Sequence, residues 1–495
     1  MIERIGVAPR KRSWAAPAFA TRLLERDGLA IAAVAFWVAA LSARPLQMVV
    51  QDSWLSFVDG RLIARHGLPH VDTLTSWTLG RHWIDQQWLA HLVLYEVVQR
   101  GGVRAAVVLG LVCVVAALAV TAVCARSAGA GPRWVAPALL LGVLAAPWLA
   151  QLRAQSFALV LFAAVYALVV HDARRPGRRV FWALPLLVLW ANLHGSVALG
   201  AGLTALYGLL LCRRRDSRAR GLLLALASPL CLLASPYGLQ LVGYYRLMLL
   251  HPPFAKYIQE WQPASFSATN AIFFVSAFVV VALWGAHRRA LTPFERWALP
   301  LVLTGALLAV RNAVWFELAA VVALPRLLDA ALPARGDLPP RALRLNARIG
   351  IVATVVFVLV GGLELGRFQP VATPAAAAAI ARAAGDKGIV LPDDAYADWL
   401  LWQQPSLAGR VAYDVRFELF DPNELTQLVG LDRGSDAAWR HCGAVARVVM
   451  FPTSDAAHAA FRDHLLAPGS RTMLRLPGLV AVTQPVRAHA GACTL

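Results

Sequence analysis

Long apolar blocks separated by short clusters of arginine run through most of this 495-residue sequence. Blocks such as 107–123 and 351–361 are long enough to cross, or nearly cross, a hydrocarbon core about 30 Å thick. Only 15% of the residues are charged, whereas soluble domains carry roughly a quarter. The pattern predicts an α-helical polytopic membrane protein and argues against a wholly soluble chain.

The formal net charge of +19 would by itself suggest binding to nucleic acid. Most of the excess arginine, however, lies in short clusters between apolar blocks, as at 174–179 and 213–220. Short loops rich in arginine are typical of the cytoplasmic side of a membrane protein. We therefore expect these loops in the cytoplasm and predict no nucleic-acid partner.

The apolar blocks predict about eleven transmembrane helices after a cytoplasmic N-terminus at 1–27, which is rich in arginine. The first span is either a retained anchor or a cleaved signal peptide, since 41–43 resembles a cleavage site, and both place Asp52 outside. The predicted spans are 28–43, 103–123, 134–150, 156–170, 180–192, 197–211, 222–234, 271–284, 297–310, 314–327 and 350–363.

A nearly unbroken apolar run at 180–211 separates the two densest arginine clusters. Because both clusters are expected in the cytoplasm, the run must cross the membrane an even number of times. As one helix it would rise about 48 Å, so a hairpin of two short spans is the economical solution. The hairpin turns at 192–196, which brings Asn192 and His194 to the outer surface, and the remaining arginine loops then fall inside by alternation.

The chain turns polar from Gly366 onward, after an odd number of predicted crossings. We therefore divide it into a transmembrane domain at 28–365, which includes a first outer loop at 45–102, and an extracytoplasmic domain at 366–495. That domain alternates an alanine-rich helix at 375–384 with short β-like runs at 388–391, 410–413, 446–451 and 479–483, which predicts a small α/β fold.

The six cysteines show no metal-ligand spacing. Four of them lie in or beside apolar spans, where packing is the ordinary role of a small thiol. Cys442 and Cys493 lie in the polar tail, and a disulfide between them requires that the tail face an oxidising compartment.

The sequence pattern of the first outer loop predicts two helices on the membrane surface. One runs from Asp52 to just before Gly67, and the other runs from about Asp85 to just before Gly101. Asp52 and Asp85 are each either helix N-caps or functional carboxylates. Asp52 follows the first span at the bilayer edge, where an ionisable group is costly to desolvate, and it could serve as a general base. Asp59 and Asp72 are expected to be solvated or turn residues.

Other outward loops place further polar side chains on the same side. Arg153 and Arg311 either extend to lipid headgroups or bind a lipid-linked phosphate in bidentate geometry. His194 either hydrogen-bonds to backbone groups of the turn or contributes to the functional site. Glu260 could be a second carboxylate that orients an acceptor or a divalent metal, Mg²⁺ or Mn²⁺. We also include as candidate substrate-binding residues Asn192, Tyr237, Trp261 and Asp85.

At these residues the sequence resembles a bacterial family of largely uncharacterised membrane proteins similar to the GT-C glycosyltransferases, whose relatives include protein O-mannosyltransferases and aminoarabinose transferases. The resemblance covers most of the chain. The segments that carry it are Asp52, the run from Gly60 through Pro69 to Asp72, Trp88-Leu89, Arg153-Ala154-Gln155, 190–195, 235–238 and Glu260-Trp261.

The resemblance implies a polyprenyl-phosphate-linked sugar donor and a catalytic aspartate in the first outer loop, a role that falls on Asp52. It also implies a second acidic residue, which here is either Asp85 or Glu260 because Gln51 precedes Asp52. Some such enzymes require a divalent metal. Arg153 and Arg311 correspond to the arginines that hold the carrier phosphate, with His194 and Glu260 positioning the substrates.

The sequence as a whole predicts a glycosyltransferase of a bacterial inner membrane that transfers a sugar to an extracytoplasmic envelope glycan, lipid or protein. Two alternatives are a non-enzymatic transporter of lipid or glycan and a scaffold for envelope assembly. A transporter is expected to carry polar residues near the membrane midplane, whereas the predicted spans are poor in central charges.

Overall fold

A computed structural model describes residues 16–250, 252–333, 339–368, 373–432, 445–452, 469–476 and 478–485. Its first nine α-helices are α1 (Ala16–Ser42), α2 (Pro45–Met48), α3 (Gln51–His66), α4 (Trp88–Ser127), α5 (Val135–Leu144), α6 (Gln155–Arg174), α7 (Ala183–Ala191), α8 (Val197–Cys212) and α9 (Arg218–Leu230). The later helices are α10 (Gln240–Leu250), α11 (Ala271–His287), α12 (Pro293–Leu308), α13 (Ala313–Ala331), α14 (Pro340–Arg367), α15 (Pro374–Ala384), α16 (Asp394–Gln403) and α17 (Pro422–Asp432). The strands are β1 (Ile389–Leu391), β2 (Ala446–Pro452), β3 (Arg471–Leu476) and β4 (Leu479–Thr483).

Each of the eleven predicted spans overlaps a helix of the structure. Within the described part of the chain, four helical segments are long and apolar enough to cross a bilayer, and they are α4, α6, Ala271–Ala290 and α14. Two shorter apolar helices, α5 and α8, pack among them. The prediction of a polytopic helical membrane protein is confirmed, and α10 is a helix that the hydropathy pattern did not predict.

The helix bundle has an arginine-rich end. Arg220 forms an ion pair with Asp172 at 2.8 Å and donates to the carbonyl of Gly177, and Arg174 donates to the carbonyl of Ala290 at 3.3 Å. These contacts gather three separate arginine loops. The 20 residues of α6 rise about 30 Å from this end, which is the thickness of a hydrocarbon core, so Gln155 begins the helix at the opposite end.

The predicted hairpin is present as α7 and α8, which are joined through residues 192–196. The two helices approach closely at Gly200, where an added Cβ would lie 2.4 Å from the Trp190 ring. Glycine is therefore required for this packing, because any side chain there would displace the tryptophan.

The first outer loop forms two helical segments, as the sequence predicts. Helix α3 ends at Gly67, whose φ of 81° is readily adopted only by glycine. The second segment begins at Trp88 and continues into the next span through a break at Gly102, where φ is 68°. The surface helix and the span, which α4 comprises, are therefore two helices joined by a kink at this glycine.

The first and last membrane spans in the sequence, α1 and α14, pack against each other along their length. A Cβ at Gly28 would lie 2.5 Å from the Asn346 carbonyl oxygen, and one at Gly350 would lie 2.7 Å from the Gly28 Cα. The Asn346 amide donates to the carbonyl of Glu25 at 2.7 Å and its oxygen accepts from the Leu29 N–H. Small residues permit this close approach of two membrane helices.

The polar tail forms the predicted α/β domain. Its sheet has the order β1-β2-β4-β3, in which β1 and β2 are parallel and the other pairs are antiparallel. Strand β3 was not predicted, because three charged or hydroxylic side chains interrupt its apolar pattern. The predicted strand at 410–413 forms only isolated bridges, in which Val411 pairs with Thr75 and Val390.

The C-terminal domain is docked on the first outer loop. Val58 and Leu74 of the loop belong to the same hydrophobic core as Trp399 and the sheet. Arg61 donates to the carbonyls of Leu401 and Trp402 at 2.6 and 2.8 Å. Because these contacts connect residues more than 300 positions apart, the loop and the tail form one structural unit.

The cysteines fit the packing interpretation where the structure describes them. Cys113, Cys124 and Cys231 are buried, Cys212 is partly buried, and all four are free thiols. Cys442 and Cys493 lie outside the described residues.

Candidate active site

A cavity of about 960 Å³ lies at the end of the bundle opposite the arginine-rich loops. Its walls come from the start of α3, the loops that precede α6, α8 and α13, helix α10, the segment 252–261, and residues of the C-terminal domain. The cavity is lined by six of the predicted site residues, which are Asp52, Arg153, His194, Glu260, Trp261 and Arg311.

Asp52 lies in the first turn of α3, where the positive end of the helix dipole favours a carboxylate. The N-cap position is taken by Val50, whose N–H donates to the Ser53 hydroxyl at 3.0 Å, so Asp52 is not the cap. The Oδ2 atom of Asp52 accepts from Arg153 Nη1 at 3.2 Å, and 41% of its side chain is exposed. A carboxylate oxygen is thus accessible from the cavity.

Glu260 lies between the two predicted arginines. Both nitrogens Nη1 and Nη2 of Arg153 lie 3.1 Å from Glu260 Oε2, and Arg311 Nη1 lies 3.3 Å from Glu260 Oε1. Burial alone would raise the pKa of Glu260, but the Arg311 and Arg153 guanidiniums lower it below its ordinary value. The glutamate is therefore a partly buried anion that holds two cations together.

The same contacts argue against a metal ion on Glu260. Its two oxygens already accept from Arg153 and pair with Arg311, and two guanidinium groups would repel a divalent cation. Arg311 is held on its other side by Trp261, whose ring centre lies 4.2 Å from the guanidinium carbon. These residues fit an anion and do not fit Mg²⁺ or Mn²⁺.

His194 occupies the turn of the α7–α8 hairpin. Its Nδ1 accepts from the backbone N–H of Ser196 at 3.1 Å and lies 2.7 Å from the Ser196 hydroxyl. Burial lowers the pKa of His194 well below 6.5, and Arg311 and Arg153 lower it further. The imidazole is therefore neutral, with its proton on Nε2, and can donate a hydrogen bond into the cavity.

Three of the predicted binding residues do not line the cavity. The Asn192 oxygen accepts from the Trp88 indole at 2.9 Å, and its amide donates to two carbonyls. The Tyr237 hydroxyl donates to the carbonyl of Pro69 at 2.9 Å, and Asp85 is buried against His91. Asn192 and Tyr237 join the first outer loop to later loops, so they stabilise the wall from behind.

Asp59 and Asp72 are buried, which corrects the expectation that they are solvated, although Asp72 does form a turn in which its Oδ1 accepts from the Leu74 N–H at 2.9 Å. Asp72 forms an ion pair with Arg416 at 2.7 Å and accepts from both Thr75 and Thr78 at 2.6 Å. Arg416 is also paired with Asp414 at 2.6 Å. Local sequence favoured exposure because Asp72 follows a turn, and only its partner more than 300 residues away explains its burial.

Two further residues of the cavity wall were not predicted from the sequence. Tyr244 comes from α10, and Glu418 comes from the C-terminal domain. Burial raises the pKa of the Glu418 carboxyl to about 7. The sequence feature that points to this part of the wall is the segment from Tyr413 to Arg416, a polar run at the end of an expected strand. The segment is far from the other site residues along the chain, so the sequence alone did not indicate that it lines the same cavity.

The family models and the curated proteins contain no match to this chain. Among solved structures, the chain is similar to two crystal structures of ArnT from Cupriavidus metallidurans, one bound to undecaprenyl phosphate and one in the apo state. The first has 14% identity and a TM-score of 0.49, and the match covers 97% of this chain and 100% of ArnT. The second has 14% identity and a TM-score of 0.47, with 90% and 96% covered.

Proposed function

We propose that this protein is a membrane glycosyltransferase that moves a sugar from a polyprenyl-phosphate carrier to an extracytoplasmic acceptor. The observation that carries the proposal is the composition of one cavity: an accessible carboxylate, Asp52, lies 3.2 Å from Arg153, which shares Glu260 with Arg311. A base for an acceptor hydroxyl and cations for a leaving phosphate are the two groups that this transfer needs.

The position of the cavity supports an extracytoplasmic site in the inner membrane. It lies about 30 Å along α6 from the arginine-rich loops, which the charge rule assigns to the cytoplasm. A carrier whose tail is embedded in the lipid must present its phosphate at a membrane boundary. The wall has apolar side chains beside its polar ones, including Met248, Leu249 and Leu308, and these suit the first units of a prenyl chain.

In the proposed reaction Asp52 accepts the proton of an acceptor hydroxyl as the oxygen attacks the anomeric carbon of the sugar. The bond between that carbon and the phosphate oxygen breaks, and the electron pair leaves with the polyprenyl phosphate. Arg153 and Arg311 stabilise the charge that develops on the phosphate, because guanidinium groups bind phosphate oxygens in a fixed geometry. Neutral His194 donates a hydrogen bond that orients a substrate oxygen.

Replacement of Asp52 by Asn tests the proposal. General-base catalysis contributes about 10²–10⁴-fold, so the variant is expected to lose at least that much transfer activity while it remains folded. The purified protein is supplied with a panel of polyprenyl-phosphate sugars and envelope acceptors, and release of the carrier phosphate is measured. A matched control is Asp386→Asn, which alters an exposed aspartate of the C-terminal domain.

Carrier release by the wild type and by Asp386→Asn, together with its loss in Asp52→Asn, supports the proposed role. Full activity of Asp52→Asn would contradict the assignment of the base. No release by the wild type from any donor, in the presence of normal binding of a polyprenyl phosphate, would favour a transporter or scaffold.

A further inference from the structure

A second cluster of ionisable groups lies at the edge of the cavity, on the first outer loop. It consists of Asp59 on α3, Asp85 just before α4, and His91 on α4, with exposed fractions of 0%, 2% and 3%. One ligand atom from each lies within 4.8 Å of the others. His91 Nδ1 is 2.9 Å from Asp85 Oδ2 and 3.7 Å from Asp59 Oδ2.

Asp59 has no hydrogen-bond partner for either carboxylate oxygen within the described part of the chain. The same is true of Asp398 on α16, which is also 0% exposed and which interacts electrostatically with Asp59. A buried carboxylate is normally paired, or else coordinates a metal, because desolvation of its charge is costly. A bound cation is one way to compensate two such groups in one place.

Charged side chains of the described residues compensate this cluster only in part, since the carboxylates of Asp59 and Asp398 lack hydrogen-bond partners. The positive charge that acts most strongly on Asp59 is Arg416, but Arg416 already forms ion pairs with Asp72 and Asp414. These two carboxylates and one guanidinium carry a net charge of −1 when ionised. Within the described part of the chain, His91 forms ion-pair contacts with both Asp85 and Asp59 and is a potential positive partner for the two carboxylates.

We propose that Asp59, Asp85 and His91 bind one divalent cation, with Zn²⁺ preferred. Mixed imidazole and carboxylate ligands suit zinc, whereas Mg²⁺ and Ca²⁺ take oxygen ligands almost exclusively. Binding replaces the proton between His91 and Asp85 by the metal and satisfies Asp59. The affinity order of the divalent metals places Zn²⁺ above Mn²⁺ at such a site.

Two features of the surroundings fit this proposal. The Oδ1 atom of Asp85 accepts from the backbone N–H of Gln87 at 3.0 Å, which fixes the carboxylate in the way that outer contacts orient metal ligands. His91 and Gln87 also line the cavity, so an ion has a route of entry. Three protein ligands leave a fourth tetrahedral position for water or for a ligand in the cavity.

The test is a direct measurement of metal binding and requires no transferase activity, so its outcome is separate from that of the proposed function. Purified full-length protein in detergent is stripped with a chelator and titrated with Zn²⁺ alone by calorimetry, and bound metal is counted by mass spectrometry. One Zn²⁺ per chain is expected for the wild type, with weaker binding of Mn²⁺. The same zinc should raise the melting temperature of the protein.

Loss of a residue that only orients a metal ligand typically lowers metal affinity by roughly 10–100-fold. Asp59→Asn and His91→Gln each remove a ligand itself, so each is expected to weaken zinc binding by at least about 100-fold. Asp386→Asn and His66→Gln change exposed residues of the same types and should bind zinc normally. Undiminished binding in both site variants, or no binding by the wild type, would overturn the proposal.

A spectroscopic measurement on the wild type covers the case in which a site variant fails to fold. Co²⁺ in place of zinc should give the strong visible absorption of a four- or five-coordinate ion with nitrogen and oxygen ligands. The weak spectrum of hydrated Co²⁺ alone would equally overturn the site.

Discussion

Glu260 is contacted from two sides by the arginines of the proposed active site. Two guanidinium groups share its carboxylate, and one of them, Arg153, also contacts Asp52. The four charges sum to zero when the cavity holds no substrate. A carrier phosphate that enters must therefore compete with Glu260 for the arginines, and the glutamate keeps both cations positioned until that exchange occurs.

Asp52 and Glu260 also show how environment separates two carboxylates of one cavity. Asp52 is 41% exposed and contacts one arginine, whereas Glu260 is 17% exposed in its side chain and contacts two. A group that is held by two cations is a poor proton acceptor. Of the two, Asp52 is therefore the better placed as a base, which agrees with the role that the sequence resemblance assigns to it.

Glu418 provides a prediction that depends on pH. Because burial raises the pKa of its carboxyl to about 7, above the unfolded value of about 4.5, ionisation in the folded state is unfavourable. This group contributes no destabilisation below about pH 4.5 and opposes folding progressively as the pH rises through 7. Glu418→Gln is therefore expected to raise the melting temperature relative to the wild type at pH 8 and to leave it nearly unchanged at pH 5.

Thermal unfolding of the detergent-solubilised protein at the two pH values measures this difference. Glu96→Gln is the control, because it changes a glutamate that pairs with Arg100 at a more exposed position. An equal effect of Glu418→Gln at both pH values would contradict the role of ionisation.

At the level of elements, the hairpin of α7 and α8 determines where His194 lies. Its two short helices place residues 192–196 at the cavity end of the bundle, as the charge pattern predicts. Positive clusters on both sides of an apolar run were sufficient for that prediction, since they require an even number of crossings. The packing of Trp190 against Gly200 could not be predicted, because hydropathy does not show which faces of two helices meet.

Gly200→Ala tests the close packing of this hairpin. The new Cβ would lie 2.4 Å from the Trp190 ring, so we expect a destabilisation of about 1–3 kcal/mol from overpacking. Gly202→Ala is a matched control on the same helix, where an added Cβ meets nothing within 4 Å. The control should be neutral or slightly stabilising, since alanine favours a helix by roughly 0.5–1 kcal/mol over glycine.

Melting temperatures of the two variants in the same detergent give the comparison. A similar loss of stability in both would show that the Trp190 contact is not responsible, and the predicted order of the variants would then be wrong.

At the scale of the whole molecule, the C-terminal domain is a part of the cavity wall rather than an appendage. Arg416 connects the domain to Asp72 of the first outer loop, and Arg81 of that loop is paired with Glu424 at 2.5 Å. The carbonyls of Leu401 and Trp402 accept from Arg61. Movement of the domain would therefore change the shape of the site.

Arg416→Met should release this contact. Removal of one partner of a buried ion-pair network costs about 3–5 kcal/mol, and here it leaves Asp72 and Asp414 buried without their cation. We expect the C-terminal domain to become sensitive to limited proteolysis while the transmembrane helices remain folded. Arg475→Met, at an exposed position of β3, is the control and should be cleaved no faster than the wild type.

Faster cleavage of the C-terminal domain in Arg416→Met, but not in Arg475→Met, would agree with the expected release of the domain from the first outer loop. A variant that resists proteolysis as well as the wild type does would contradict it.

The sequence was sufficient to predict the membrane-spanning helices, because the length of an apolar run and the position of arginines are local properties that membrane insertion requires. It also placed Asp52, Arg153, His194, Glu260 and Arg311 on one side of the membrane. It could not place Asp72, Glu418 or Arg416, because their positions depend on contacts between the first loop and the tail. Asp85, Asn192 and Tyr237 were grouped with the substrate-binding residues because the orientation of a side chain around a loop is not encoded in residue spacing.

The packing of α1 against α14 has a consequence for biogenesis. The residues that join them, Leu29 and Asn346, are separated by 317 positions. At about 5–20 residues per second a ribosome needs roughly 15–65 s to supply the second helix after the first. During that interval α1 lacks its main neighbour in the membrane, so its glycine-bearing face contacts lipid or other protein until synthesis has nearly reached the tail.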